Sequence, residues 1–159
     1  MVAASALRVM IVDDDEGMRK LLRRTLERMG FSQIYTARDG SEGLQLARSQ
    51  MPDVIVSDYD MPNMHGLQFL KAVREEAGLA ETAFVMLSGV ANDQVKEKAG
   101  ELGANSIITK PFLAADLKQR LEALGAIPVG TDPTTFAAHV AAQRAAMAEI
   151  VRSAKIEVG

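Results

Sequence analysis

Short apolar runs alternate with longer amphipathic stretches five times along this chain. Residues 7–12, 33–37, 53–57, 84–87 and 105–109 are too short for helices, and several are rich in β-branched residues, so they read as strands. The stretches after them carry apolar residues three and four apart, which predicts helices. Their stripes are Met18, Leu21, Leu22, Thr25, Leu26 and Met29; then Leu44 and Ala47; then Leu67, Leu70 and Val73; then Val95, Ala99 and Leu102; then Leu113, Leu117, Leu121 and Leu124. Gly30 is placed to stop the first helix and Pro52 the second. Asp39 is a cap for the second, and Asn92 or Asp93 for the fourth. Residues 53–57 form an unbroken apolar run, the pattern of a strand buried on both faces. Strict β-α alternation predicts an α/β fold: a doubly wound parallel sheet of five strands, with right-handed crossovers and helices on both faces.

Four of the strands end in polar residues. Asp13, Asp14 and Asp15 follow the first, Asp58 the third, Ser88 the fourth and Lys110 the fifth. In a parallel sheet these ends share one edge, and open α/β sheets build their sites there. The chain thus brings carboxylates, a hydroxyl and a lysine together. Asp13, Asp14, Asp15, Asp58 and Asp60 would crowd one pocket. Each like-charge pair at 4 Å repels by about 4 kcal/mol at an effective dielectric near 20. Raised pKa values or a bound cation must relieve that. Hard oxygens without Cys or a nearby His suit Mg²⁺ rather than Zn²⁺. A carboxylate such as Asp58 can attack phosphorus and form an acyl phosphate. Lys110 and Ser88 are then a cation and a hydroxyl for the phosphoryl oxygens.

Beyond Leu124 the texture changes. Residues 126–132 read as a linker after a receptor-sized unit at 6–125, and Asp132-Pro133 starts an Ala-rich helix over 133–156. Phe136, Val140, Met147, Val151 and Ala154 form its narrow apolar stripe. Such a helix must pack on the body, pair with a second copy as a dimer, or wait for a partner.

Composition narrows the classes. The 159 residues suit about one domain, 48% of them are apolar, and the net charge is −3. That balance offers no general attraction to nucleic acid or to an anionic membrane. There is no cysteine, so no disulfide framework and no thiolate chemistry. No apolar run approaches the ~20 residues of a membrane span. A cytoplasmic location is the expectation. Met10, Met61, Met64 and Met86 read as packing residues, and Arg19, Lys20, Arg23 and Arg24 as a basic, solvated face on the first helix.

Four stretches, in order and at characteristic intervals, give the chain a family resemblance. They are residues 9–15 (VMIVDDD), 58–66 (DYDMPNMHG), 87–89 (LSG) and 109–112 (TKPF). Together they resemble the receiver domain of two-component response regulators, most closely the single-domain CheY-like type. The resemblance implies a flavodoxin-like strand order of 2-1-3-4-5. It implies Asp58 as phosphoacceptor, Asp14 as a direct Mg²⁺ ligand, Asp13 holding the ion through water, and the backbone carbonyl of Asp60 completing the set. Ser88 is then the switch hydroxyl, Lys110 the phosphate-contacting lysine, and the Lys110–Pro111 bond cis. A histidine kinase or phosphotransfer protein is the implied donor, and a downstream protein the implied target, reached through the fourth helix, fifth strand and fifth helix. Such a protein catalyses only its own phosphorylation and dephosphorylation.

Four positions stand out against the family pattern. Ile107 replaces the usual aromatic switch residue, His65 the usual Asp before Gly66, and Asp60 and Val90 fall where phosphoryl lifetime is tuned. Chemotaxis or motility is the first expectation, and a phosphorelay intermediate or phosphate sink the second. An aspartyl-nucleophile phosphatase is a third, because Asp58-Tyr59-Asp60 loosely resembles the DxD of haloacid dehalogenases. There the motif follows the first strand, whereas here it follows the third.

Overall fold

The computed structural model describes residues 6–89, 93–126, 136–138 and 140–142. The elements run β1 (Arg8–Val12), α1 (Glu16–Arg28), β2 (Gln33–Ala37), α2 (Gly40–Gln50), β3 (Val54–Asp58), α3 (Gly66–Glu75), β4 (Ala83–Ser88), α4 (Asp93–Glu101), β5 (Ser106–Thr109) and α5 (Ala114–Ala123). All strand pairs are parallel, in the order β2-β1-β3-β4-β5. The expected α/β architecture and strand order are both present.

Side chains alternate across the sheet, as strand geometry requires. Val9, Ile11, Val54, Val56, Val85 and Leu87 face one layer, which Leu22 and Leu26 of α1 and Leu117 and Leu121 of α5 complete. Met10, Val12, Ile55, Phe84 and Met86 face the other, against Ala47 of α2 and Phe69, Leu70 and Val73 of α3. Every residue of β3 is buried, so this strand has cover on both faces.

Local chemistry sets the helix ends. Asp15 caps α1 by accepting from the Gly17 N–H at 2.9 Å, and Gly30 follows the helix at φ 102°. Asp39 caps α2 by accepting from the Glu42 N–H at 2.9 Å. Met51 then closes α2 in the left-handed region, one residue before Pro52. Asp93 is the first residue of α4 rather than its cap, and Asn92 and Val90 lie outside the described residues. Two expected stripe residues are misassigned: Leu21 is 54% exposed and Leu113 71% exposed. Leu21 sits at the margin of the α1 stripe, turned away from the sheet. Leu113 precedes α5 rather than lying on it, so the helical period does not apply to it.

The described residues of the C-terminal extension pack on the body. Residues 136–138 and 140–142 are helical, and Phe136 and Val140 are each 1% exposed within the core layer of α1 and α5. Ala126, expected to open a linker, is buried as well. The remaining stripe positions Met147, Val151 and Ala154 lie outside the described residues.

Candidate phosphoryl and metal site

The parallel register aligns the strand ends that matter. Val12 pairs with Ser57, Asp58 with Leu87, and Ser88 with Thr109. Asp13, Asp58, Ser88 and Lys110 therefore emerge along one edge. Asp13, Asp58 and Ser88 are buried there, whereas Asp14 is exposed.

Lys110 organises the pocket. Its Nζ donates to Asp58 Oδ1 at 2.9 Å and stands 3.7 Å from Asp13 Oδ2. Burial pulls the Lys110 pKa down, but the hydrogen bond and charge of Asp58 and the charge of Asp13 outweigh it, and the net direction is up. The lysine stays a cation. The Lys110–Pro111 peptide is cis, and the Lys110 N–H donates to the Ser88 carbonyl at 2.8 Å.

Asp13 carries the electrostatic burden. Burial, joined by the charges of Asp58 and Asp14, pushes its carboxyl up to about 6, against the pull of the Asp15 N–H and Lys110. Its Oδ1 accepts from the Asp15 N–H at 2.8 Å, while its buried Oδ2 has no hydrogen-bond partner. Oxygens of Asp13, Asp14 and Asp58 all lie within 4.8 Å of one another. An orphaned buried carboxylate oxygen inside a cluster of hard donors fits a divalent cation such as Mg²⁺. The side chain of Asp60 is outside that cluster, on an exposed loop. Asp15 caps α1 instead of joining the cluster.

Residues beyond the expected set hold this edge in place. Arg19 was read as part of a solvated basic face, but its Nη1 donates to the Asp13 carbonyl at 2.7 Å. Arg23 likewise donates to the Ile34 carbonyl at 3.1 Å, so half of that cluster braces the loops. Nothing in the one-dimensional pattern distinguishes Arg19 from its neighbours. Asn63, at φ 65°, donates to Asp39 Oδ2 at 3.0 Å and ties the loop after β3 to the start of α2. An Asn three residues before Gly in a loop was the available signal.

His65 caps α3 through a longer bond than the Asp caps of α1 and α2 make. Its Nδ1 accepts from the Gln68 N–H at 3.4 Å, and its own N–H donates to Gln68 Oε1 at 3.1 Å, a reciprocal capping box. Gly66 is required by close approach: a Cβ there would lie 2.6 Å from the Asp58 carbonyl oxygen. Ile107 is half-buried and packs against the layer of α2, α3 and α4.

Known proteins agree with this geometry. The response regulator receiver domain family matches residues 9–122. The "Probable chemotaxis protein CheY" of Rhizobium etli is 36% identical over 124 residues, 78% of this chain and 96% of that protein. "Chemotaxis protein CheY-3" of Vibrio cholerae is 33% identical over 116 residues, 73% of this chain and 89% of its own length. Among solved structures, Vibrio cholerae CheY4 superposes with a TM-score of 0.69 at 34% identity, covering 73% of this chain and 96% of CheY4. The receiver domain of a histidine kinase from Syntrophus aciditrophicus superposes with a TM-score of 0.68 at 26% identity, over 74% of this chain and 88% of that domain. The family match spans all five strands and every polar strand end, and on that ground this chain belongs to the response regulator receiver domain family.

Proposed function

We propose that this chain is a stand-alone response regulator that accepts a phosphoryl group on Asp58 and signals by phosphorylation-dependent protein binding, in chemotaxis or motility. The observation that carries this is the Lys110–Asp58 contact of 2.9 Å inside the three-carboxylate cluster. A histidine kinase or phosphotransfer protein is the donor. An Asp58 carboxylate oxygen bonds to phosphorus as the P–N bond to the donor imidazole breaks, and the bonding pair leaves with that nitrogen. Lys110 follows the negative charge onto the phosphoryl oxygens, and the Ser88 hydroxyl donates to one of them. Asp13, Asp14, Asp58 and the backbone carbonyl of Asp60 would hold Mg²⁺, which would neutralise the carboxylates and the phosphoryl oxygens. Among the described residues no group in the cluster is placed as a strong base for water, which supports slow turnover of the protein's own acyl phosphate rather than of an external substrate.

A groove of about 470 Å³ lined by Thr25 and Arg28 of α1, by Met29 after it, and by Ala114, Ala115 and Lys118 of α5 supports docking of a donor protein.

Ile107 favours a second reading, a phosphorelay intermediate or phosphate sink, because it removes the aromatic ring that reports phosphorylation in the family. The test of the central assignment is incubation with Mg²⁺ and acetyl phosphate, followed by intact mass. Wild type gains one phosphoryl group and Asp58→Asn gains none; equal uptake by both, or uptake by neither, refutes it. Sustained turnover of generic phosphate esters would favour the phosphatase reading instead.

A further inference from the structure

The polar site occupies the carboxyl edge of the sheet, and the opposite edge holds a feature outside the family match, which stops at residue 122. There β3 and β4 begin on Val54 and Ala83, and Leu7 precedes β1; all three are 0% exposed. Phe136 and Val140 cover this edge from one face of their helical segment, at a spacing of four. Phe136 is among the largest fully buried side chains among the described residues, in one cluster with Leu7, Leu121, Leu124 and Ala126. Together with Met51, Pro52, Asp53 and Thr82 the two side chains line a cavity of about 220 Å³. Asp53 and Thr82 immediately precede β3 and β4, whereas Asp58 and Ser88 end them. Burial at this edge also raises the Asp53 carboxyl above its ordinary range.

We infer that the helical residues around Phe136 and Val140 are a fixed seal on the amino-terminal edge of the sheet, an intramolecular docking surface that holds the C-terminal extension in both phosphorylation states. Two facts separate the seal from the switch. Strands of five and six residues put the two edges about 16–20 Å apart at 3.3 Å per residue. Phe136 and Val140 are apolar, so a phosphoryl charge at that range has no charge on them to act on. The seal also meets Ile108 of β5 and Leu117 and Leu121 of α5 only as members of one buried core cluster, and the cavity it lines includes no residue of α4, β5 or α5 among the described residues. An extension that shields the output face and is released by phosphorylation is a different arrangement, and it predicts a different result.

Independence from phosphorylation rests on Asp58 being the acceptor; the seal itself does not. The test is thermal unfolding of full-length Phe136→Ala, Val140→Ala and Phe136→Leu, each with and without Mg²⁺ and beryllium fluoride as a stable phosphoryl mimic. Phe136→Ala lowers Tm by roughly 10 °C, Val140→Ala by about half of that, and Phe136→Leu by less. Each loss is the same with and without the mimic. Val140→Ala keeps the test readable if Phe136→Ala fails to fold. The losses persist in an Asp58→Asn background, which separates failure of the seal from failure of the phosphorylation reading. Melting of Phe136→Ala with wild type, or a loss that changes by more than a few degrees on adding the mimic, overturns the proposal.

Discussion

At one edge the sheet delivers Asp13, Asp58, Ser88 and Lys110 into a buried pocket; at the other β3 and β4 begin on Val54 and Ala83, which share a buried cluster with Leu7 and Phe136. At the amino edge the neutral Asn105 Nδ2 and Ser106 Oγ at the start of β5 lack hydrogen bonds, whereas the charged Asp53 and Arg74 are bonded. Asp53 Oδ2 accepts from the Arg8 N–H at 2.8 Å, and the Asp53 N–H returns a 2.8 Å bond to the Arg8 carbonyl. Arg74 spans the neighbouring loops, donating to the carbonyls of Ala80, Thr82 and Gly103. The carboxyl edge leaves Asp13 Oδ2 without a hydrogen bond and places three carboxylates within 4.8 Å. One edge lowers the free energy of the fold, and the other stores electrostatic cost that a cation and a phosphoryl group can relieve. Truncation at the amino edge should therefore destabilise, whereas removal of the Asp13 carboxylate at the carboxyl edge should stabilise and disable.

The largest test of that contrast removes the Lys110 cation. Lys110→Met should slow phosphoryl uptake from acetyl phosphate by roughly 100-fold, the scale for losing one stabilising donor. A mass time course reads it, and an unchanged rate would break the role assigned to Lys110.

The next effect is a pH dependence of stability. Asp13 titrates at about 6 in the folded state against 3.8 ordinarily. The folded state thus holds its proton more tightly than the unfolded chain. Stability from this group is full below pH 3.8 and is lost as pH rises to about 6, by up to about 3 kcal/mol. Asp53 is raised as well and adds a loss of the same sign, so the difference between wild type and Asp13→Asn isolates Asp13. Urea unfolding without Mg²⁺ should show Asp13→Asn more stable than wild type at pH 7 and equal at pH 3.5. Added Mg²⁺ should stabilise wild type and leave Asp13→Asn nearly unchanged. A variant less stable than wild type at pH 7 would remove the stored cost from this edge.

Gly66→Ala comes third. A Cβ 2.6 Å from the Asp58 carbonyl oxygen and 2.8 Å from Tyr59 Cα must push backbone, costing about 1–3 kcal/mol. It should also slow phosphoryl uptake, because the displaced backbone carries the acceptor. Denaturant midpoints and uptake rates, measured together, would show whether the two effects separate. The smallest effect is Asp39→Ala, which removes the cap of α2 and the tie to Asn63 for about 1 kcal/mol. Because Asp39 braces the loop after β3, its loss should weaken Mg²⁺ affinity slightly in calorimetric titration; an affinity identical to wild type would confine Asp39 to capping.

The alternation of runs and stripes was enough to place all five strands within about a residue and to order the helices between them. Buried β3 was legible because a strand with cover on both faces has no polar alternation to hide it. The polar strand ends were legible because parallel strands force their carboxyl ends together; the roles proposed for them rest on the four motifs. Strand order came from the family resemblance, since alternation alone is compatible with several orders. Leu21 and Leu113 show the limit of the period: it marks a stripe but neither its width nor the residue where the helix begins.

What the sequence by itself determined is local and periodic: which segments extend, which coil, where caps and breakers end them, and which polar residues end the strands. Tertiary structure alone decided which of several equivalent groups does which task. It turned Arg19 toward the Asp13 carbonyl and left Leu21 in solvent, placed Oδ2 of Asp13 beyond any hydrogen-bond donor, and seated Phe136 against Leu7 across the whole chain. The physical reason is that burial and electrostatics are properties of neighbours in space. A carboxylate or an aromatic ring carries no mark along the chain of what will surround it.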